Sequence, residues 1–146
     1  MRTPASIFGH PIHPMLIVFP IGLWIFSLAC DLIRLAGASG DAWSTVAFYS
    51  MVGGLIGALC AAVPGAIDLV FYQGGAPPVK KIALTHMAIN LTVVVLYAIN
   101  IWLRPSGSIS SAPVLLSIVG VALSFVSGWL GGQMVHVYGA GVEGRE

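Results

Sequence analysis

The chain has 146 residues, 58% of them hydrophobic and 8% charged, and a formal net charge of +1. An ordinary soluble domain carries about 25% charged residues, so this composition excludes a soluble globule. The near-neutral balance gives no basis for binding nucleic acid, and no CxxCH is present, which excludes covalent c-type haem attachment.

No Asp, Glu, Lys or Arg occurs between Arg2 and Asp31, between Asp41 and Asp68, between Lys81 and Arg104, or between Arg104 and Glu143. A membrane span needs about 20 mainly apolar residues. The gaps therefore predict transmembrane helices at 14–35, 44–72, 80–103 and 112–136. The expected fold is all-α, an integral membrane four-helix bundle filling residues 1–146 as one domain, with both termini on the same side.

At the mouth of the first span stands Gly9-His10-Pro11-Ile12-His13-Pro14. Proline biases the residue before it away from helix, so His10 and His13 are expected in an extended arm, with Pro14 opening the helix. Pro20 frees the carbonyl of Leu16 and is expected to bend the first helix. Asp31 and Arg34 are read as marking the water interface at its far end. Ala36-Gly37-Ala38 loosely imitates a cleavage site, but the basic region before the span is a single Arg2, so the first helix is expected to be retained.

The second helix places Gly53, Gly57, Ala61 and Gly65 at four-residue spacing, a stripe that allows close helix packing or leaves a flat wall for a planar ligand. Pro64-Gly65 and Asp68 lie near its end, and Gln73 to Pro78 reads as a tight connection. On the third helix His86, Asn90, Val93, Tyr97, Asn100 and Arg104 alternate at steps of four and three, a largely polar stripe that must face the bundle interior. His86 falls about 9 Å inside the span at 1.5 Å per residue. The fourth helix repeats the small-residue pattern at Gly120, Ser124, Gly128 and Gly132 and ends in His136. The tail from Tyr138 is short and glycine-rich.

Four alternating spans put His10, His13, Asp68, His86 and His136 at one end. That end also holds Arg2, Lys80, Lys81 and Arg145, against Arg34 and Arg104 at the other, so the positive-inside rule makes it, and both termini, cytoplasmic. Cys30 and Cys60 differ in depth by about 10 Å, too far for a disulfide, and are expected to be free, buried thiols.

Imidazoles drawn from several helices are a common way to hold iron, zinc or copper in a bundle. A b-type haem needs one or two axial histidines, with His13 and His86 the best placed, His10 and His136 next, and Lys80, Lys81 or Arg2 as propionate partners. A Zn or Fe site would instead draw on His10, His13 and His86 with Asp68. Asp68 and Asn90 are expected to orient the imidazoles. The competing readings are histidines that only hydrogen-bond carbonyls freed by Pro20 and Pro64, and a non-redox, permease-like subunit whose polar stripe passes a proton or small solute. No nucleophile, phosphate loop or carboxylate pair points to an enzyme, and no catalytic residue is assigned.

The opening Gly9 to Leu16, Phe19-Pro20-Ile21-Gly22, Asp31, Pro64-Gly65 with Asp68, His86 with Asn90, and the closing Gly131-Gly132, Gly139 and Val142 resemble a bacterial family of small membrane proteins, domain of unknown function 2231. The HPxHP opening is the specific part. The resemblance implies a multi-pass protein of the bacterial inner membrane. Members sometimes accompany redox modules such as Rieske-type domains, which implies electron transfer with a redox partner or quinone. One departure is Tyr138, where the family often has a histidine; here the histidine is His136, so Tyr138 is assigned beside the ligands and not among them. Beyond the lipid bilayer, the small-residue faces make a homodimer the remaining expected partner.

Overall fold

The computed structural model describes residues 3–71, 77–104 and 111–142. Two short strands, β1 (Ser6–Ile7) and β2 (His10–Pro11), form an antiparallel hairpin, with Ser6 opposite Pro11 and Ile7 opposite His10. Helices α1 (Ile12–Leu16), α2 (Val18–Leu35), α3 (Ala42–Phe71), α4 (Pro77–Trp102) and α5 (Ser111–His136) follow. Taking α1 and α2 together, four helical segments are long and apolar enough to cross a membrane. The connection at 72–76, with Tyr72, and the loop at 105–110 lie outside the described residues.

The first span opens two residues earlier than expected, and His13 is helical, not extended. Pro11 forms the boundary at φ −63° and ψ 129°. Pro14 then stands in the first turn, where amide hydrogens have no intrahelical acceptor, so its missing N–H leaves nothing unmet. The His13 carbonyl accepts the Ile17 amide at 3.2 Å, and that bond holds the turn. Pro20 acts further on: with no hydrogen to give the Leu16 carbonyl, it leaves a break at Ile17 between α1 and α2.

Asp31 is not interfacial. It is wholly buried and receives a two-pronged bond from Arg104, at 2.7 Å to Oδ1 and 2.6 Å to Oδ2. Arg104 Nε donates to Asn100 Oδ1 at 2.9 Å, and Asn100 Nδ2 donates to the Pro113 carbonyl and to Ser117 Oγ, both at 2.8 Å. This network ties α2 to α4 and α4 to α5. Burying a carboxylate in a membrane bundle is expensive unless it is paired, and here every charged atom has a partner. Arg34 does behave as an end residue, donating to the Ala38 carbonyl at 2.8 Å.

A second regularity organises the fold. Asp31 and Arg104 are 73 residues apart, and the same interval separates His13 from His86, Trp24 from Tyr97, and Ser27 from Asn100. On the partner helices a second constant interval applies. Trp24 donates to the Met51 carbonyl and Tyr97 to that of Ser117; Ser27 donates to Ala47 and Asn100 to Pro113; His13 reaches Ala61 and His86 reaches Ser127. The hairpin α1–α2–α3 is thus matched by the hairpin α4–α5. Both run in the same direction, related by a pseudo-two-fold axis along the bundle. Three matched pairs touch each other across that axis: the ion pair, the stacked Trp24 and Tyr97 rings 4.2 Å apart, and the two histidines. Packing within each hairpin is denser than between them.

Two small residues serve this arrangement from inside. A methyl at Gly54 would strike Trp24, and one at Gly120 would come within 2.7 Å of the Tyr97 ring. Gly54 and Gly120 thus let the rings stack, while a methyl at Gly128 or Gly132, on the same face as Gly120, would meet nothing within the chain. Cys30 is buried, Cys60 is exposed rather than buried, and both are free.

Removing one member of the ion pair strands the other in a dry bundle. Asp31→Ala is expected to destabilise the protein by about 3–5 kcal/mol, and Asp31→Leu with Arg104→Met to recover most of that loss. Unfolding in mixed detergent micelles, comparing the single with the double variant, measures both.

Candidate functional site

His13, near the start of the first span, and His86, the tenth residue of α4, meet at one end of the bundle with ring centroids 6.2 Å apart and planes at 83°. Both are half-buried. Each is fixed by the second helix of its own hairpin. His13 Nδ1–H donates to the Ala61 carbonyl at 2.8 Å, one turn from Pro64, whose ring disturbs the local ladder of α3. His86 Nδ1–H is shared between the Ser127 carbonyl at 2.8 Å and the Ser127 hydroxyl at 2.9 Å. The acceptors assign the proton to Nδ1 in both rings.

Small residues line the seats, and at Gly65 only glycine leaves room for the ring. A methyl on Gly65 would lie 2.8 Å from His13 Nδ1, and one on Gly131 would lie 3.5 Å from His86 Cε1. These two positions correspond across the pseudo-two-fold axis. The glycine faces expected as walls for a planar ligand are therefore partly taken up as beds for the imidazoles.

The two halves differ beside the rings. Asn90 Nδ2 donates to His86 Nε2 and to the His86 carbonyl, both at 3.0 Å. The matching position on α1–α2 is Ile17, which has no donor, so His13 Nε2 has no such cap. Identical imidazoles thus carry unequal free nitrogens.

The other sequence-nominated residues lie apart from this pair. Asp68 accepts the Ala5 amide at 2.8 Å and so pins the N-terminal hairpin to α3 instead of orienting an imidazole. His10 is exposed on β2, His136 is exposed at the last position of α5, and Tyr138 lies beyond it. None of these three side chains forms a hydrogen bond or ring contact among the described residues. Nor do three His, Cys, Asp or Glu side chains gather as a metal site among them, so His10, His13 and His86 do not form a ligand triad. Sequence reasoning missed Ser127; its signal was the shared spacing that sets Ser127 and Gly131 against His86 as Ala61 and Gly65 stand against His13.

The N- and C-terminal segments meet at the histidine end, where Gly141 lies against Thr3 and Pro11. With that geometry in place, the profile of the family described as predicted membrane protein (DUF2231) matches residues 9–144. The chain belongs to the DUF2231 family. Comparison with curated proteins and with solved structures returns no match. In this DUF2231 chain the matched region takes in both histidines, both glycine seats and the ion pair.

Gly65→Ala is expected to push the His13 ring off Ala61 while leaving His86 in place. Nitrogen-15 spectra of the histidines check this. Wild type should show both protons on Nδ1, and the variant should alter the His13 signals only.

Proposed function

We propose that this membrane protein holds a haem b iron between His13 and His86 and acts in electron transfer at the histidine end of the bundle. The observation that carries the reading is the imidazole pair itself. Histidines that ligate a metal through Nε2 commonly give the Nδ1–H to a carbonyl or carboxylate, which fixes tautomer and ring orientation. His13 and His86 both do so. A metal held between two imidazoles at about 2 Å from each nitrogen sets the ring centroids roughly 6 Å apart, and the observed spacing is 6.2 Å.

The donor set chooses among metals. A structural zinc site takes about four protein ligands, whereas a haem iron needs only one or two axial ones. A pair of imidazoles without a third donor among the described residues suits the second case better than a bare Zn or Fe ion. Bound haem would supply one-electron chemistry. His13 and His86 would hold it, with Asn90 beside His86 bonded to its carbonyl. Lys80 and Lys81, exposed at the same end, offer cations to the propionates. His10, His136, Asp68 and Tyr138 have no direct part.

The polar stripe of α4 favours this reading over solute passage. Val93 and Tyr97, buried with Trp24 and Met51, close the bundle with an apolar layer between His86 and the Asn100–Arg104 network. The redox partner is a quinone or a protein module in or beside the bacterial inner membrane. Both termini face the cytoplasm: Arg104 is buried in its ion pair, which leaves Arg34 as the only described cation at the far end to set against Lys80 and Lys81.

Protein produced with ample haem and purified in detergent is expected to show a Soret band that persists in His10→Ala and disappears in His13→Ala with His86→Ala. Metal analysis on the same samples should return iron. Folded wild-type protein with no Soret band would overturn the haem reading, and stoichiometric zinc would replace it with a metal site.

A further inference from the structure

The turn between β1 and β2 contains Phe8 at φ 50° and Gly9 at φ 83°. A two-residue hairpin of this kind needs positive φ at both central positions, which is why Asn-Gly and Gly-Gly dominate there. A bulky aromatic side chain in the left-handed region is a genuine outlier. Phe8 is the single described non-glycine residue with positive φ. The strain is not repaid by packing inside the protein, because Phe8 is 98% exposed and its neighbour Ile7 is 56% exposed.

The hairpin is nevertheless held in place. Asp68 takes the Ala5 amide, the Ala5 carbonyl takes the Ile12 amide at 3.0 Å, and Gly141 packs on Thr3. It sits at the end of the first span, which runs 24 residues from Ile12 to Leu35. At 1.5 Å per residue that is about 36 Å, against about 30 Å of hydrocarbon, so the hairpin falls in the headgroup layer and not far out in water. Residues Thr3 to Pro11 carry no Asp, Glu, Lys or Arg, while Lys80 and Lys81 stand exposed at the same end of the bundle. An uncharged, apolar tip at the same end as two exposed cations is complementary to a surface of anionic lipid, where aromatic rings settle at the boundary of headgroup and chain.

We infer that the β1–β2 hairpin is a membrane-interface anchor, with Phe8 inserted at the headgroup–acyl boundary of an anionic leaflet. The strained turn places the ring; the lipid covers it. This holds whether or not the histidine pair carries haem.

The test is a nitroxide at Phe8→Cys, in a background of Cys30→Ala and Cys60→Ala, reconstituted into vesicles of phosphatidylethanolamine and phosphatidylglycerol. A second label at Ser39→Cys, in the exposed loop at the opposite end, is the water reference. The label at 8 is expected to collide with oxygen but lose most of its collisions with a water-soluble nickel complex, while the label at 39 keeps them. Equal nickel access at both sites would overturn the inference, and so would spin–spin broadening at 8, which would mean that the tip meets a second copy of the chain. Phe8→Gly provides the check on folding: in detergent it should unfold at the same or a higher temperature, since it relieves the turn. A lower temperature would make Phe8 a packing residue and overturn the anchor.

Discussion

A guanidinium and a carboxylate placed among lipid-facing helices must find a partner for each of their charged atoms, because little water is at hand to supply one. Asp31 and Arg104 do so through a planar, two-pronged contact, and Asn100 takes up the remaining Nε. Geometry this demanding allows few relative positions for α2 and the end of α4. The rest of the bundle follows from it: with the far end fixed, the Trp24–Tyr97 stack closes the middle. The histidines, about 27 Å from the ion pair at 1.5 Å per residue, are brought together at the other end. An Arg is better suited to this task than a Lys, whose ammonium cannot span both carboxylate oxygens in one plane.

The histidine end has a different character. His13 and His86 are tied to backbone carbonyls of their own hairpins and meet with their ring planes at 83°, with no direct bond between them. Each half therefore delivers its imidazole independently. Since packing across the seam is lighter than within a hairpin, the far-end clamp and the central stack hold the halves together without demanding that the rings touch. A ligand at the axis would be met by two groups already oriented, the arrangement that keeps reorganisation small when something binds.

Much of this fold is legible in the sequence because charge is so costly in hydrocarbon: the gaps between charged residues give all four spans to within a few residues. The polar stripe of α4 also announces itself by period. What sequence reading misplaces are the local outcomes of competition. His13 before Pro14 looks extended until one notices that a first-turn proline removes a hydrogen that has no use. Asp31 looks interfacial because end residues usually reach water; its partner lies 73 positions away, on a helix whose own stripe was read separately. Asp68 looks like a companion for an imidazole, yet the nearest unmet donor is a backbone amide. The pairing of the two halves is hidden for a related reason. It preserves roles more than residue types, so Ser27 answers Asn100 and Trp24 answers Tyr97, and few identities mark the repeat.

Those unlike pairs carry one more consequence. In a true symmetric dimer of two identical helical hairpins, any residue on the axis would meet its own copy, so an aspartate would face an aspartate and an arginine an arginine. Like charges buried together repel, and neither assembly would tolerate the group that now clamps the bundle. Joining two hairpins in one polypeptide removes that restriction. Matched sites can then differ, so opposite charges, a capped and an uncapped imidazole, and two different aromatic rings are compatible on a single axis. The covalent link thus does more than hold neighbours at high local concentration: it lets a two-fold architecture carry chemistry that two-fold symmetry forbids.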